Sequence, residues 1–222
     1  VKEKSILTHA KVHRGQKFIL RLDLKDFFPS ITKAQLQYVL RSRMRFNSNV
    51  SNAILDLIHH EGLPQGAPTS PYFSNLVATN LDHSLHKLCK KWHLRYSRYA
   101  DDITFSSDHN VYCKKEFLDE LSRIIEDQKL RINPKKTRLQ KAGFKQVVTG
   151  LTVNNKVNTS RKYVKEIRSW LHIWEKDGAE KAQELFKERY VSDKGHVKKH
   201  DSKLVNVLHG KLLFLKKVNR GL

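Results

Sequence analysis

The sequence predicts an α+β fold: an antiparallel sheet with helices on one face, followed by a small helical unit. Three observations predict it. The apolar run Phe18-Ile19-Leu20-Arg21-Leu22 reads as a strand entering a core, and it ends on Asp23. Two short alternating runs, Leu94–Tyr99 and Ile103–Ser107, read as a β-hairpin with the acidic pair Asp101-Asp102 at its tip. From Ser160 onward the apolar residues recur at helical spacing.

The chain in order supports this layout. Val1–His13 is basic and mixed, helical from Ser5 and broken by Gly15. After Asp23 come two aromatics, Phe27 and Phe28, which suit plain core or the wall of a substrate pocket. Thr32 caps a helix over Lys33–Arg43, with Ala34, Leu36, Val39 and Leu40 facing inward. Ser51 or Asn52 starts another, through Ile54, Leu55, Leu57 and Ile58. Residues 62–71 are dense in glycine and proline and form a defined loop. Ser70 then Pro71 gives a capping hydroxyl and a proline at the first helical position. One long helix follows, with Phe73, Leu76, Val77, Leu81, Leu85, Leu88 and Trp92 on one side. Its N-terminal N–H groups suit a phosphate.

Beyond the hairpin, Lys114–Lys129 is an amphipathic helix. Leu130–Asn133 reads as a short strand, stopped by Pro134, and Lys135-Lys136-Thr137 is exposed and basic. Gln146–Val153 alternates, interrupted at Thr149-Gly150, and Val157–Thr159 pairs back after a turn at Asn154-Asn155-Lys156. Ser160 caps a helix carrying Tyr163, Ile167, Trp170 and Trp174. A charged helix, Ala179–Tyr190, a basic loop, Val191–Asp201, and a last helix, Ser202–Lys217, complete the chain. The domain boundary falls near 159, giving units 1–159 and 160–222.

Lys and Arg number 43 against 22 Asp and Glu, a net charge of +21. That excess implies a polyanionic partner, because lysine and arginine release the counterions condensed on phosphates. No long apolar span and no signal peptide occur, which sets a membrane partner aside. Two cysteines, Cys89 and Cys113, lack metal-ligand spacing and fit a reducing cytoplasm. His9 and His13 are spaced like a helical metal pair, but no third ligand lies nearby in the sequence.

The acidic residues carry the chemistry. An Asp-Asp pair in a turn is by itself an ordinary solvated turn. A third carboxylate, Asp23, at a strand end beside the hairpin tip changes the reading. Three clustered carboxylates repel one another unless a cation neutralises them, and hard oxygen ligands suit Mg²⁺. Such a site can hold two metals for in-line phosphoryl transfer. A non-catalytic RNA-binding scaffold would share the positive charge but gain nothing from clustered carboxylates facing a polyanion.

Five motifs then line up in one order: Leu22-Asp23-Leu24-Lys25-Asp26-Phe27-Phe28, residues 63–71, Tyr99-Ala100-Asp101-Asp102, Asn133-Pro134-Lys135-Lys136-Thr137 and Thr149-Gly150-Leu151. Together they resemble the successive motifs of bacterial reverse transcriptases, and the chain looks most like a retron reverse transcriptase. Val148-Thr149-Gly150 matches a retron motif in full. His9-Ala10-Lys11-Val12-His13 matches a second one except that His9 stands where asparagine is expected. Group II intron, diversity-generating and abortive-infection enzymes are the alternatives within the family.

The resemblance implies a right-hand polymerase palm followed by a helical thumb, with most of the fingers missing ahead of Asp23. It implies RNA-directed DNA synthesis, with Asp23, Asp101 and Asp102 holding two Mg²⁺ ions and the Leu24 carbonyl as a further ligand. Phe28 would exclude a ribose 2′-hydroxyl, Gln65 and Gly66 would flank the incoming nucleotide, and Lys136 would lie near the leaving phosphates. His13, Val148, Thr149, Gly150 and Leu151 would hold primer and RNA. The implied partners are deoxynucleoside triphosphates, a structured non-coding RNA serving as template and primer, its DNA product, and a separate effector protein. The implied setting is the bacterial cytoplasm, in defence against phage.

Overall fold

A computed structural model describes residues 4–194 and 202–220. The chain divides into two compact units, residues 1–149 with 153–155, and residues 150–152 with 156–222.

In the first unit, α1 (Ile6–Val12) opens on a capping box between Ser5 and Thr8. Strand β1 (Phe18–Asp23) follows. Helix α2 (Lys33–Tyr38) is capped by Thr32 and runs into a π-helical turn, Val39–Arg43. Leu36, Val39 and Leu40 are buried as expected, whereas Ala34 is exposed. Helix α3 (Ser48–Ile58) begins earlier than the sequence suggests. Asn47 is the cap, accepting from the Val50 N–H at 2.9 Å, and Ser51 lies buried inside the helix.

The long helix read from residue 70 to 92 is two helices, α4 (Ser70–Val77) and α5 (Thr79–Trp92). The Thr79 hydroxyl donates back to the carbonyls of Asn75 and Leu76, and Arg43 donates to the Leu76 carbonyl. Those carbonyls are drawn off the helical ladder, which bends the chain at Ala78. Ser70 does not cap α4. It is fully buried, and its hydroxyl donates to the Pro64 carbonyl at 2.6 Å, pinning the preceding loop.

Strands β2 (Arg95–Tyr99) and β3 (Asp102–Ser107) form the expected hairpin, and α6 (Lys115–Asp127) follows. Residues 130–133 contribute only a bridge, Ile132 to Leu24. The fourth strand is β4 (Arg138–Lys141), so the antiparallel sheet has the order β2-β3-β1-β4.

Alternation along the strands separates two faces. Leu20, Leu22, Tyr96, Ile103 and Phe105 pack into one core with Leu36, Leu55, Leu81, Leu85, Phe117 and Leu121 from the helices. On the opposite face, Ser97, Thr104 and Ser106 meet α1 through His9 and His13. The main core therefore sits under one face, as the sequence predicts, and α1 adds cover to part of the other.

Strands β5 (Val147–Val148) and β6 (Leu151–Thr152) flank a two-residue turn in which Thr149 and Gly150 both take positive φ. In the second unit, α7 (Arg161–Asp177) is capped by Ser160 and ends at Gly178, α8 spans Ala179–Lys194 and α9 spans Leu204–Arg220. Ile167, Trp170, Ala182, Phe186, Leu204 and Leu208 form its core. The basic loop read from 191 is helical to Lys194, and its remainder, 195–201, lies outside the described residues.

Candidate active site

Asp23 and Asp102 stand directly opposite each other across the β1–β3 ladder. Ala100 and Asp101 make the two-residue hairpin loop beside them, since Tyr99 pairs with Asp102. A two-residue hairpin favours positive φ at its first loop position, where glycine is the usual occupant. Ala100 holds φ at +53°, so the acidic tip is built on a strained residue. The Leu24 N–H donates to the Asp101 carbonyl at 3.1 Å, which ties the tip to the end of β1. The three aspartates and Leu24 thus lie at one end of the sheet.

The carboxylates are held by cations of the chain itself. Arg21 donates to both oxygens of Asp102, from Nη2 at 2.8 Å and from Nε at 3.4 Å. Lys136 Nζ lies 3.1 Å from Asp23 Oδ1, and Asn133 Nδ2 donates to Asp23 Oδ2 at 3.2 Å. Asp101 has no such partner among the described ion pairs. Burial pushes its carboxyl above the usual range, the nearby Asp23 and Asp102 add to the effect, and Lys136 opposes it.

The donor chemistry fits a hard divalent cation: three carboxylates and a backbone carbonyl at one sheet end. Among the described residues, however, no three acidic, histidine or cysteine side chains converge tightly enough to hold a metal. Arg21 and Lys136 each bond one of these carboxylates.

The tip is braced from below. Arg98 is nearly buried and bonds Asp82 of α5 through Nε at 2.7 Å and Nη2 at 2.8 Å. Its Nη1 donates to Asn75 of α4 and to the Ala100 carbonyl, both at 3.0 Å. The Tyr96 hydroxyl donates to Asp82 at 2.6 Å. One guanidinium therefore joins the strained turn to two helices. Sequence reasoning missed Arg98 and Asp82. The available signal was strand parity, which puts Arg98 on the face of Tyr96, where a buried cation needs an acid.

Phe28 is half-buried against Phe27. The Leu63 N–H donates to the Phe28 carbonyl at 2.9 Å, which brings the loop carrying Gln65 and Gly66 against it. Gly62 makes this approach possible. A Cβ there would stand 2.4 Å from the Pro29 Cα, and φ is +102°. Gly66 is exposed, with φ at +91° and open space where a Cβ would be.

The residues assigned to RNA divide by exposure. His13, Val148 and Leu151 are buried, so their side chains have no surface to offer a nucleic acid. His13 bonds Ser106 through Nδ1 at 2.7 Å and Ser97 through Nε2 at 2.6 Å, clasping both strands of the β2–β3 hairpin. His9 reaches Thr104 at 3.3 Å. Burial lowers the His9 pKa to about 4, with Arg21 adding, and lowers that of His13 to about 3, with His9 and Arg95 adding. Thr149 and Gly150 do reach the surface, and the Thr149 hydroxyl donates to the Ile6 carbonyl at 3.3 Å.

A family model for reverse transcriptases (RNA-dependent DNA polymerases) matches residues 1–174. The chain is 38% identical over 175 residues to the retron Ec86 reverse transcriptase of Escherichia coli, across 77% of this chain and 53% of that protein. It is 35% identical over 188 residues to the retron Mx65 reverse transcriptase of Myxococcus xanthus, across 76% of this chain and 44% of that protein. The chain spans about half the length of these curated relatives. Telomerase from Candida albicans, solved with a fragment of telomeric RNA, superposes with a TM-score of 0.52 at 12% identity, over 88% of this chain and 42% of that one. Truncated apo telomerase from Candida tropicalis gives 0.50 at 14% identity, over 70% and 39%. These two likenesses concern the fold alone. The chain belongs to the reverse transcriptase (RNA-dependent DNA polymerase) family, as a retron-type member.

Proposed function

We propose that this chain is the catalytic part of an RNA-directed DNA polymerase that extends a primer hydroxyl with deoxynucleoside triphosphates. The observation that carries the reading is Asp23 facing Asp102 across one strand pair, with Asp101 at the adjoining tip. In this reading residues 1–159 are the palm and residues 160–222 the thumb.

Asp23, Asp101, Asp102 and the Leu24 carbonyl would hold two Mg²⁺ ions. When bound, the ions make the attacking hydroxyl more acidic and neutralise charge on the leaving pyrophosphate. The chain's own groups do the rest. Arg21 and Lys136, which bond Asp102 and Asp23, would give up those carboxylates on metal binding, and Lys136 would be free to face the phosphates. The half-buried Phe28 ring fills the space a ribose 2′-hydroxyl would need. Gln65 and Gly66 flank the nucleotide, with Gly66 allowing close backbone approach. The Thr149-Gly150 turn meets primer or RNA, with the buried Val148 and Leu151 on either side of it, while His13 holds the β2–β3 hairpin.

The retron resemblance extends the proposal. The template and primer are one structured RNA, the product is branched RNA–DNA, and the setting is the cytoplasm, in anti-phage defence with a separate effector. No helix of the described residues is long and apolar enough to cross a membrane. The test is nucleic acid extracted from cells expressing the full-length protein with its flanking DNA, treated with RNase and debranching enzyme. A discrete short DNA that shifts on debranching, and that Asp101→Asn abolishes, is the expected result. RNA-templated extension without such DNA would leave a polymerase of another reverse-transcriptase type.

A further inference from the structure

The loop between β4 and β5 holds the most exposed phenylalanine of the described residues. Phe144 is 76% exposed. A single exposed apolar side chain is ordinary on a protein surface. This one differs because the backbone beneath it is fixed on every side. The Ala142 N–H donates to the Lys17 carbonyl at 2.6 Å, and the Phe144 N–H to the Lys141 carbonyl at 3.3 Å. The Asn154 amide spans the loop, donating to the Phe144 carbonyl at 2.7 Å and accepting from the Gln146 N–H at 3.0 Å. Gln146 itself is buried and donates to the Gln16 carbonyl at 2.9 Å. Gly143 provides the turn, with φ at +92°. A mobile loop could fold an apolar side chain away from water. This loop holds it out.

The surroundings are cationic. Lys141 and Lys145 flank Phe144, and the Lys17 backbone is bonded into the loop. None of the three lysines is in an ion pair among the described residues. Asp108, the acid bonded here, accepts from the Lys17 backbone N–H at 3.4 Å and, at 3.5 Å, from the Gln16 amide. Lys141 pairs with Phe18 at the start of β1, and Asp23 ends that strand. Five residues at ~3.3 Å each put the loop about 17 Å from the carboxylates, at the far end of the sheet.

An exposed aromatic side chain on a tied-down backbone, flanked in sequence by unpaired lysines, matches the chemistry of an unpaired nucleobase and its phosphates. We propose that residues 141–145 form a second RNA-contact point, where Phe144 stacks on an unpaired base and Lys141, Lys145 and Lys17 hold the adjoining phosphates. The proposal rests on the reading that this protein handles RNA, and it adds a place where that RNA is gripped away from the reacting end.

The experiment measures binding of a labelled RNA hairpin with a single-stranded loop, and of a blunt RNA duplex, to the full chain at several salt concentrations. Phe144→Ala is expected to weaken hairpin binding about tenfold and to leave the duplex unchanged. Phe144→Trp is expected to restore the hairpin. Lys141→Ala with Lys145→Ala is expected to lower the salt slope for the loop by about 1.4. Extension of a DNA primer on a homopolymer RNA is expected to match wild type in Phe144→Ala, and its failure in wild type would count against the polymerase reading alone. Equal hairpin binding by wild type and Phe144→Ala would overturn the proposal. So would an equal loss on hairpin and duplex, or unchanged RNA binding with the loss of a self-associated species, which would make Phe144 a protein contact.

Discussion

Arg21 occupies Asp102 with a two-pronged hydrogen bond, and Lys136 occupies Asp23. In the proposed two-ion site, an entering metal would compete with both. An ion pair at this partial exposure is worth about 1 kcal/mol at most. Arg21→Gln is therefore expected to tighten Mn²⁺ binding by about fivefold, read by electron paramagnetic resonance without any turnover. Unchanged or weaker binding would mean that Arg21 does not compete for Asp102. Gly62 gives a second prediction at this scale. A methyl group at Gly62 would collide with the Pro29 backbone and require a strained φ. Gly62→Ala is expected to cost about 2–3 kcal/mol of stability and to raise the KM for nucleotide, because the loop carrying Gln65 can no longer rest on Phe28. Thermal melts and nucleotide titrations check the two effects separately.

At the scale of elements, the hairpin carrying Asp101 is clamped on both faces. Arg98 ties its turn to α4 and α5, and His13 clasps its two strands from α1. Arg98→Met leaves the Asp82 carboxylate partly buried without its guanidinium. The expected cost is about 3 kcal/mol, at the lower end for a broken buried pair because Asp82 retains some exposure. Arg98→Lys keeps the charge but loses the fork that reaches Ala100 and Asn75. It is expected to lower kcat while leaving the nucleotide KM near wild type, and a change in KM alone would contradict the bracing role.

The hairpin itself was legible, because alternating β-branched and aromatic residues around a polar turn show in the sequence. Strand β4 was not. Arg138-Leu139-Gln140-Lys141 carries one apolar residue on a sheet edge, so it has no visible period. The break at Ala78 was hidden for a different reason: it arises from side-chain donors, Thr79 and Arg43, that draw off helix carbonyls. The same limit applies to the site. Motif order placed the aspartates together, but that Asp23 and Asp102 are paired with Lys136 and Arg21 depends on register between distant strands.

For the whole molecule, two properties follow from charge. His9 and His13 are buried neutral, with folded-state pKa values of about 4 and about 3. Both lie below the ordinary 6.5, so the unfolded chain binds more protons between these limits. Stability is then fully present above about pH 6.5 and falls as pH drops toward 4. Thermal melts from pH 7.5 to 5 are expected to show this decline, shallower in His13→Gln, and a flat profile would contradict the buried neutral pair. The net charge of +21 bears on the second: under the proposed function, binding to nucleic acid is expected to weaken steeply with salt.

The central claim is that Asp23, Asp101 and Asp102 form one site for nucleotidyl transfer on an RNA template. The direct measurement is extension of a DNA primer on RNA by the full-length protein, wild type against Asp101→Asn, with and without Mg²⁺. The structure makes Asp101 the one member of the trio without a cation partner among the described ion pairs, so its removal perturbs no existing pair. Loss of several kcal/mol of charge stabilisation predicts extension slower by about 10²- to 10³-fold, with the fold intact by thermal melt and RNA affinity retained. Extension by Asp101→Asn at the wild-type rate, or none by wild type with Mg²⁺ present, would contradict it.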